Sequence, residues 1–216
     1  MQLHYNTYLL KNIHFHTFKA PLNMGTKRDI KYKMYHDNQR EWKRIASQVS
    51  TGTAVQSPFT FYCVKNNDWS LSHNWDYWNI NFTNASGVDN TEISKTIYDP
   101  SVSGFCLLRT AAFTGFTTTG GNTNVLSQFN VSGSWNHGWN FLTGLQNNGT
   151  IFIEALGYKG NATGGILIGV GSEAPLWTSG ACSVVNSRAL GLNHNDVFTQ
   201  HMDFRTNAFP VRCDLE

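Results

Sequence analysis

Residues 151–180, IFIEALGYKGNATGGILIGVGSEAPLWTSG, constrain the fold more than any other stretch of this chain. Ile151, Ile153 and Ala155 alternate with Phe152 and Glu154, the period-two pattern of a strand with one buried face. Gly157 breaks that strand. A second apolar run, Ile166-Leu167-Ile168, sits between Gly164-Gly165 and Gly169, where glycines mark turns or close backbone approach rather than helix. The stretch therefore predicts a glycine-rich hairpin. It leads to Trp177, a large ring with one polar N–H that suits a core anchor.

The remainder is consistent with a strand-dominated chain. Its 216 residues can bury a sizeable core without staples. Gly, Asn, Ser and Thr are abundant, charge is low at 14% and aromatics reach 13%, so an ordered, loop-rich protein is expected rather than a helical or disordered one. No run of about eighteen apolar residues and no signal-like segment at Met1 is present, so direct membrane insertion is not expected. Cys63, Cys106, Cys182 and Cys213 lack C-x-x-C spacing, which argues against a zinc ribbon or a thioredoxin-like site and leaves bridges and free thiols both open.

Charge is unevenly spread. Residues 1–50 carry nine Lys and Arg against three Asp and Glu, while the rest is net acidic. These basic residues are dispersed along expected strands and a helix, so nucleic acid is not the expected partner. Alternation at 3–9 and 13–17 predicts a hairpin that carries His14-x-His16, with no third ligand placed to complete a metal site. NQREWKRIASQV, 38–49, predicts a helix: Asn38 can cap it, Glu41 stands three residues on, and Trp42, Ile45 and Val49 share a face. Residues 50–53 then read as a linker or exposed turn.

Between Phe59 and Trp78 the chain is dense in aromatics, which could stack on sugar rings but are expected mainly as core anchors. NVSGSWNHGWNFLTG, from Asn130, sets Trp135 and Trp139 around Asn136, His137 and Gly138. His194, Asp196, His201 and Asp203 form the one cluster that could hold a metal or do acid–base work, yet on a strand-loop-strand hairpin they are not expected to converge. No nucleophile elbow, phosphate loop or His-Glu-x-x-His occurs, so no catalytic residue, cofactor or metal is expected.

Taken in order, Ser57-Pro58-Phe59-Thr60-Phe61-Tyr62, Trp78-Asn79, Lys95-Thr96-Ile97-Tyr98-Asp99-Pro100, Gly104-Phe105, Ala112-Phe113-Thr114-Gly115-Phe116, Leu156-Gly157-Tyr158-Lys159, Leu176-Trp177-Thr178-Ser179 and Phe209-Pro210-Val211-Arg212-Cys213 resemble the Fibrobacter succinogenes major paralogous domain family of Bacteroidetes surface proteins. Leu108 and Glu154 stand where members usually carry proline. The resemblance covers roughly residues 55–213. It implies an α+β, C-type-lectin-like fold of the formylglycine-generating-enzyme type: a twisted antiparallel sheet with few helices and long loops. Residues 54–216 would be that domain, and residues 1–53 the tail of a preceding β-rich module or a linker. Trp177, Phe209 and Val211 should then be mostly buried, with the closing strand beside the glycine-rich hairpin. The Glu-Pro-Asn, Gln-Pro-Asp and Trp-Asn-Asp triplets of calcium-dependent lectins are missing, so the likeness implies a scaffold rather than a chemistry.

In related proteins diversified by retroelements, variation concentrates in the C-terminal part of this fold. The resemblance thus implies a recognition surface drawn from Asn186, Ser187, Asn193, His194, Asn195, Asp196, Phe198, His201 and Asp203, with apolar area from Trp177. The functional expectation is a non-catalytic adhesin or receptor-binding module, extracellular on a bacterial surface or a phage virion, that recognises a host or bacterial glycan or protein receptor. The alternatives are a structural tip or stalk domain without a ligand of its own, and a metal-dependent enzyme.

Overall fold

The computed structural model describes residues 43–57, 60–64, 67–74, 76–82, 90–144 and 149–215. The expected N-terminal hairpin with His14 and His16, the cap Asn38, Trp42, Phe59 and Trp75 lie outside the described residues. Among the described residues strand outweighs helix, 38% to 10%, and pairing is mostly antiparallel.

In chain order, β1 (Lys43–Ile45), α1 (Thr51–Gln56) and β2 (Thr60–Tyr62) are followed, after a long connection, by β3 (Phe105–Leu107) and two 3-10 helices, Thr110–Phe116 and Leu126–Gln128. β4 (Val131–Ser132), β5 (Gly138–Leu142) and β6 (Thr150–Glu154) form one antiparallel sheet, and β7 (Tyr158–Lys159) pairs with β8 (Leu167–Ile168). β9 (Leu176–Ala181), β10 (Asn186–Leu192) and β11 (Val197–Phe204) form a second sheet, while β12 (Cys213–Leu215) pairs with β3.

The β11-β10-β9 sheet is the centre of the molecule because both of its faces are covered. Leu176, Leu190 and Leu192 face Phe113, Phe129, Trp139, Phe141 and Ile153 on one side. Trp177 and Ala189 face Trp78, Leu107 and Phe209 on the other. The remaining edge of β9 is closed by the chain's end: Trp177 N–H donates to the Pro210 carbonyl at 3.0 Å, Trp177 bridges in parallel to Val211, and Ser179 N–H donates to Leu108. Trp177 and Phe209 are each 1% exposed and stacked at 4.3 Å, with Val211 half-buried against them. The closing segment thus lies beside β9, and just before it Ala208 bridges to Lys159 of the glycine-rich hairpin.

β6 follows the expected alternation: Ile153 and Ala155 are buried, Phe152 and Glu154 exposed. Three residues past its end, Gly157 is required for a steric reason. Its φ is +69°, and a Cβ there would sit 2.2 Å from the Ile168 carbonyl oxygen, so the β7–β8 hairpin can fold back only over a bare α-carbon. Arg212, from an exposed position, donates to the Phe152 carbonyl at 3.5 Å.

One expectation is reversed. Where 38–49 reads as helix, residues 43–45 are strand β1, parallel to β2, and Val49 bridges to Ser70. A helix lies at 51–56, overlapping 50–53 that reads as a linker or exposed turn, with Ser50 as its cap: the Ser50 Oγ accepts from Thr53 N–H at 3.1 Å. The four-residue spacing of Ile45 and Val49 would suit one helical face. Extended, both side chains reach the same cluster of Ala54, Tyr62 and Trp69, and backbone bonds from Cys63 to Ile45 and from Leu71 to Val49 fix that course. Tertiary pairing outweighs local propensity here. Ile45 and Val49 consequently pack with the chain that follows them.

Candidate functional site

The turn between β10 and β11 is built by Asn193. Its Oδ1 accepts from the backbone N–H groups of Asn195, at 2.7 Å, and Asp196, at 2.9 Å, while its Nδ2 donates to Asp196 Oδ2 at 2.9 Å. This side-chain mimic of a turn leaves His194 and Asn195 exposed at the tip. Trp139 then pins the tip to β5, donating its indole N–H to the Asn193 carbonyl at 3.1 Å.

The His194 ring lies nearly parallel to Trp139, centroids 6.1 Å apart, and edge-on to Trp135 at 6.0 Å. Trp139 is buried, whereas Trp135 is half-buried between exposed Ser134 and Asn136. His137 beside them is exposed and holds a positive φ of 54°, and its Nδ1 donates to the Gly171 carbonyl at 3.1 Å. The tip therefore presents one partly open indole, two imidazoles and two amides on a rigid base. A set of that kind can stack on an apolar face while exchanging hydrogen bonds with polar groups around it.

The sequence-expected residues divide among three environments. His194 and Asn195 belong to the tip surface, and Asn193 and Asp196 hold the turn. Phe198, His201 and Asp203 lie half-buried along edge strand β11, with Phe198 6.1 Å from the His201 ring and His201 Nε2 3.4 Å from Asp203 Oδ2. Asp203 Oδ1 is occupied, accepting from Asn207 Nδ2 at 2.7 Å and from Phe204 N–H. His194 and Asp196 are thus separate from His201 and Asp203. Among the described residues no group of three or more His, Cys, Asp or Glu is placed to hold a metal.

Two members of the set are buried rather than presented at the hairpin surface. Trp177, 1% exposed, is stacked in the core and offers no area to a partner at the hairpin surface. Ser187, 8% exposed, faces inward beside Ala181 for the same reason: β10 is the central strand, covered on both faces. Asn186 is half-buried, its Oδ1 without a hydrogen-bond partner among the described residues.

A buried ionic network not anticipated from sequence fixes the base of the same hairpin. Arg205, just past β11, donates from one terminal nitrogen to Asp68 Oδ2 at 3.1 Å and to the Asn74 carbonyl at 2.7 Å. Asp68, wholly buried, also accepts from Ser70 N–H and from His73 Nδ1 at 3.2 Å. Gln48 Nε2 can only donate, so its contact with His73 Nε2 fixes the tautomer with the proton on Nδ1. The 137 residues separating Asp68 from Arg205 explain why no local pattern revealed the pair. Among the described residues no helix is long and apolar enough to cross a membrane. No family model, curated protein or solved structure matches the chain.

Proposed function

We propose that the chain is a non-catalytic recognition module whose receptor, a glycan or a protein, docks on the tip of the β10–β11 hairpin. The observation that carries this is the half-exposed Trp135 ring framed by exposed Asn136, His137, His194 and Asn195. An indole that is neither fully packed nor isolated, ringed by groups that both donate and accept, suits a hydroxyl-rich ligand with one apolar face, which favours a glycan over a flat protein surface. The tip has little freedom to rearrange, since Asn193 ties the turn internally and Trp139 ties it to β5, and a preorganised surface loses less entropy on binding. The sequence resemblance supports the C-type-lectin-like form of the fold and a setting on a bacterial surface or a virion. A glycan array, with a receptor pull-down from the target cell surface, tests the reading: retention by the parent chain and loss in Trp135→Ala/His194→Ala is expected. Absence of any binding would favour a structural tip or stalk.

A further inference from the structure

A half-open cavity of about 30 Å³ lies at the opposite end of the hairpin from the tip, between the inward face of β9 and the 69–78 segment. Its walls include the rings of Trp69, Tyr77, Trp78, Tyr98 and Trp177. It is large enough for a couple of waters or one small methyl-bearing group, and too small for a whole ring.

Three polar atoms of residues lining it have no hydrogen-bond partner among the described residues: Trp177 Nε1, Arg205 Nε and Ser179 Oγ. The side chains that carry them are 1%, 7% and 2% exposed. Buried donors are rarely left unpaired, because each forfeits its bonds to water. Two neighbouring polar groups are already committed: Tyr77 hydroxyl bonds Ser70 and Thr51, and one Arg205 terminal nitrogen bonds Asp68 and Asn74.

The chemistry of the three atoms selects the ligand. Indole and guanidinium N–H groups only donate, whereas a serine hydroxyl both donates and accepts. An amide offers the complement: one carbonyl oxygen with two lone pairs, and one N–H. A carboxylate fits worse, because Arg205 is already balanced in charge by wholly buried Asp68, and a second anion would enter a low-dielectric site uncompensated. The aromatic walls suit a methyl group beside the carbonyl. Half-buried Tyr77 and Tyr98 and exposed Asn74 also line the cavity, and they offer aromatic and polar groups that a pyranose can use and an alkyl chain would leave unused.

We infer that this cavity is a subsite for the acetamido group of an N-acetylated hexosamine: Trp177 Nε1 and Arg205 Nε donate to its carbonyl, Ser179 Oγ accepts its N–H, and its methyl packs among the rings. The site does not rest on the hairpin-tip reading, since it uses none of the tip residues. The test is NMR titration of the full chain, following the Trp177 indole N–H resonance, identified by its loss in Trp177→Phe. The probes are methyl N-acetyl-β-glucosaminide, methyl β-glucoside, acetate and Nε-acetyl-lysine. A saturable shift with the N-acetyl sugar is expected, absent with the glucoside and weakened at least about tenfold in Ser179→Ala, a smaller change that keeps the assay usable if Trp177→Phe folds poorly. Trp135→Ala/His194→Ala should leave this shift intact, which separates the cavity from the tip. No saturable shift with the N-acetyl sugar would mean that water fills the cavity and would overturn the inference. So would equal binding of the glucoside, or tighter binding of acetate or acetyl-lysine.

Discussion

Replacing Arg205 by Met removes the charge that balances Asp68 while keeping much of the side chain's volume. Asp68 is wholly buried and Arg205 is 7% exposed, so the remaining carboxylate cannot recover its hydration. Breaking a buried pair in this way costs about 3–5 kcal/mol, and because Asp68 keeps its bonds to Ser70 N–H and His73 Nδ1, the lower end, about 3 kcal/mol, is expected. For a chain of this size that is a fall in melting temperature of about 6–12 °C. Removing both charges together, in Asp68→Leu/Arg205→Met, should cost less than the sum of the single changes, because neither variant charge is then stranded. Thermal and urea unfolding of the four proteins give the cycle. Additive single effects, or an Arg205→Met protein melting within about 2 °C of the parent, would refute the network.

Gly157→Ala should be strongly destabilising, by about 1–2 kcal/mol for the left-handed backbone alone and more for the clash with the Ile168 carbonyl; an unchanged unfolding midpoint would contradict the hairpin geometry. Burial raises the thiol pKa of both Cys182 and Cys213 above the ordinary cysteine value, so each holds less thiolate at pH 8 than an exposed cysteine. Their alkylation by iodoacetamide should accordingly be slower in the native chain than in urea and should keep accelerating past about pH 9, whereas native rates equal to those in urea would show the thiols to be open.

The legible parts of this fold are those in which one face is buried. Ile153 and Phe152 announce β6 by simple alternation, and the glycines at 157, 164, 165 and 169 announce the β7–β8 hairpin because L residues resist the positive φ they adopt. The aromatic block between Phe59 and Trp78 reads as core, and Phe61, Tyr62 and Trp69 are indeed no more than 2% exposed. β9 is different. Its residues, LWTSGA, are buried on both sides and small where other strands approach, so no alternation survives to distinguish a central strand from a polar loop. The same feature hid the inward course of Ser187. The helix expected at 38–49 gives way at 43–45 to a strand paired with 60–62, and the turn expected at 50–53 gives way to a helix at 51–56.

Only part of the candidate surface was legible. Asn193, His194, Asn195 and Asp196 stand out as a polar tract, but their division into turn-builders and exposed groups depends on bonds that composition does not encode. Trp135 is 59 residues distant from His194 in sequence, and only the fold brings the two rings together. The Asp68–Arg205 pair and the cavity beside it join segments still farther apart.

The most direct test of the central claim compares the parent chain with Trp135→Ala/His194→Ala on a glycan array and on the target cell surface, with melting temperature measured in parallel. Neither side chain is fully buried, and the Asn193 turn and the Trp139 tie are untouched, so the melting temperature should fall by no more than about 4 °C. Retention should drop at least about tenfold, as expected for the loss of an aromatic anchor and its polar neighbour from a binding surface. A folded double variant that binds at the parental level would contradict a recognition surface at the hairpin tip.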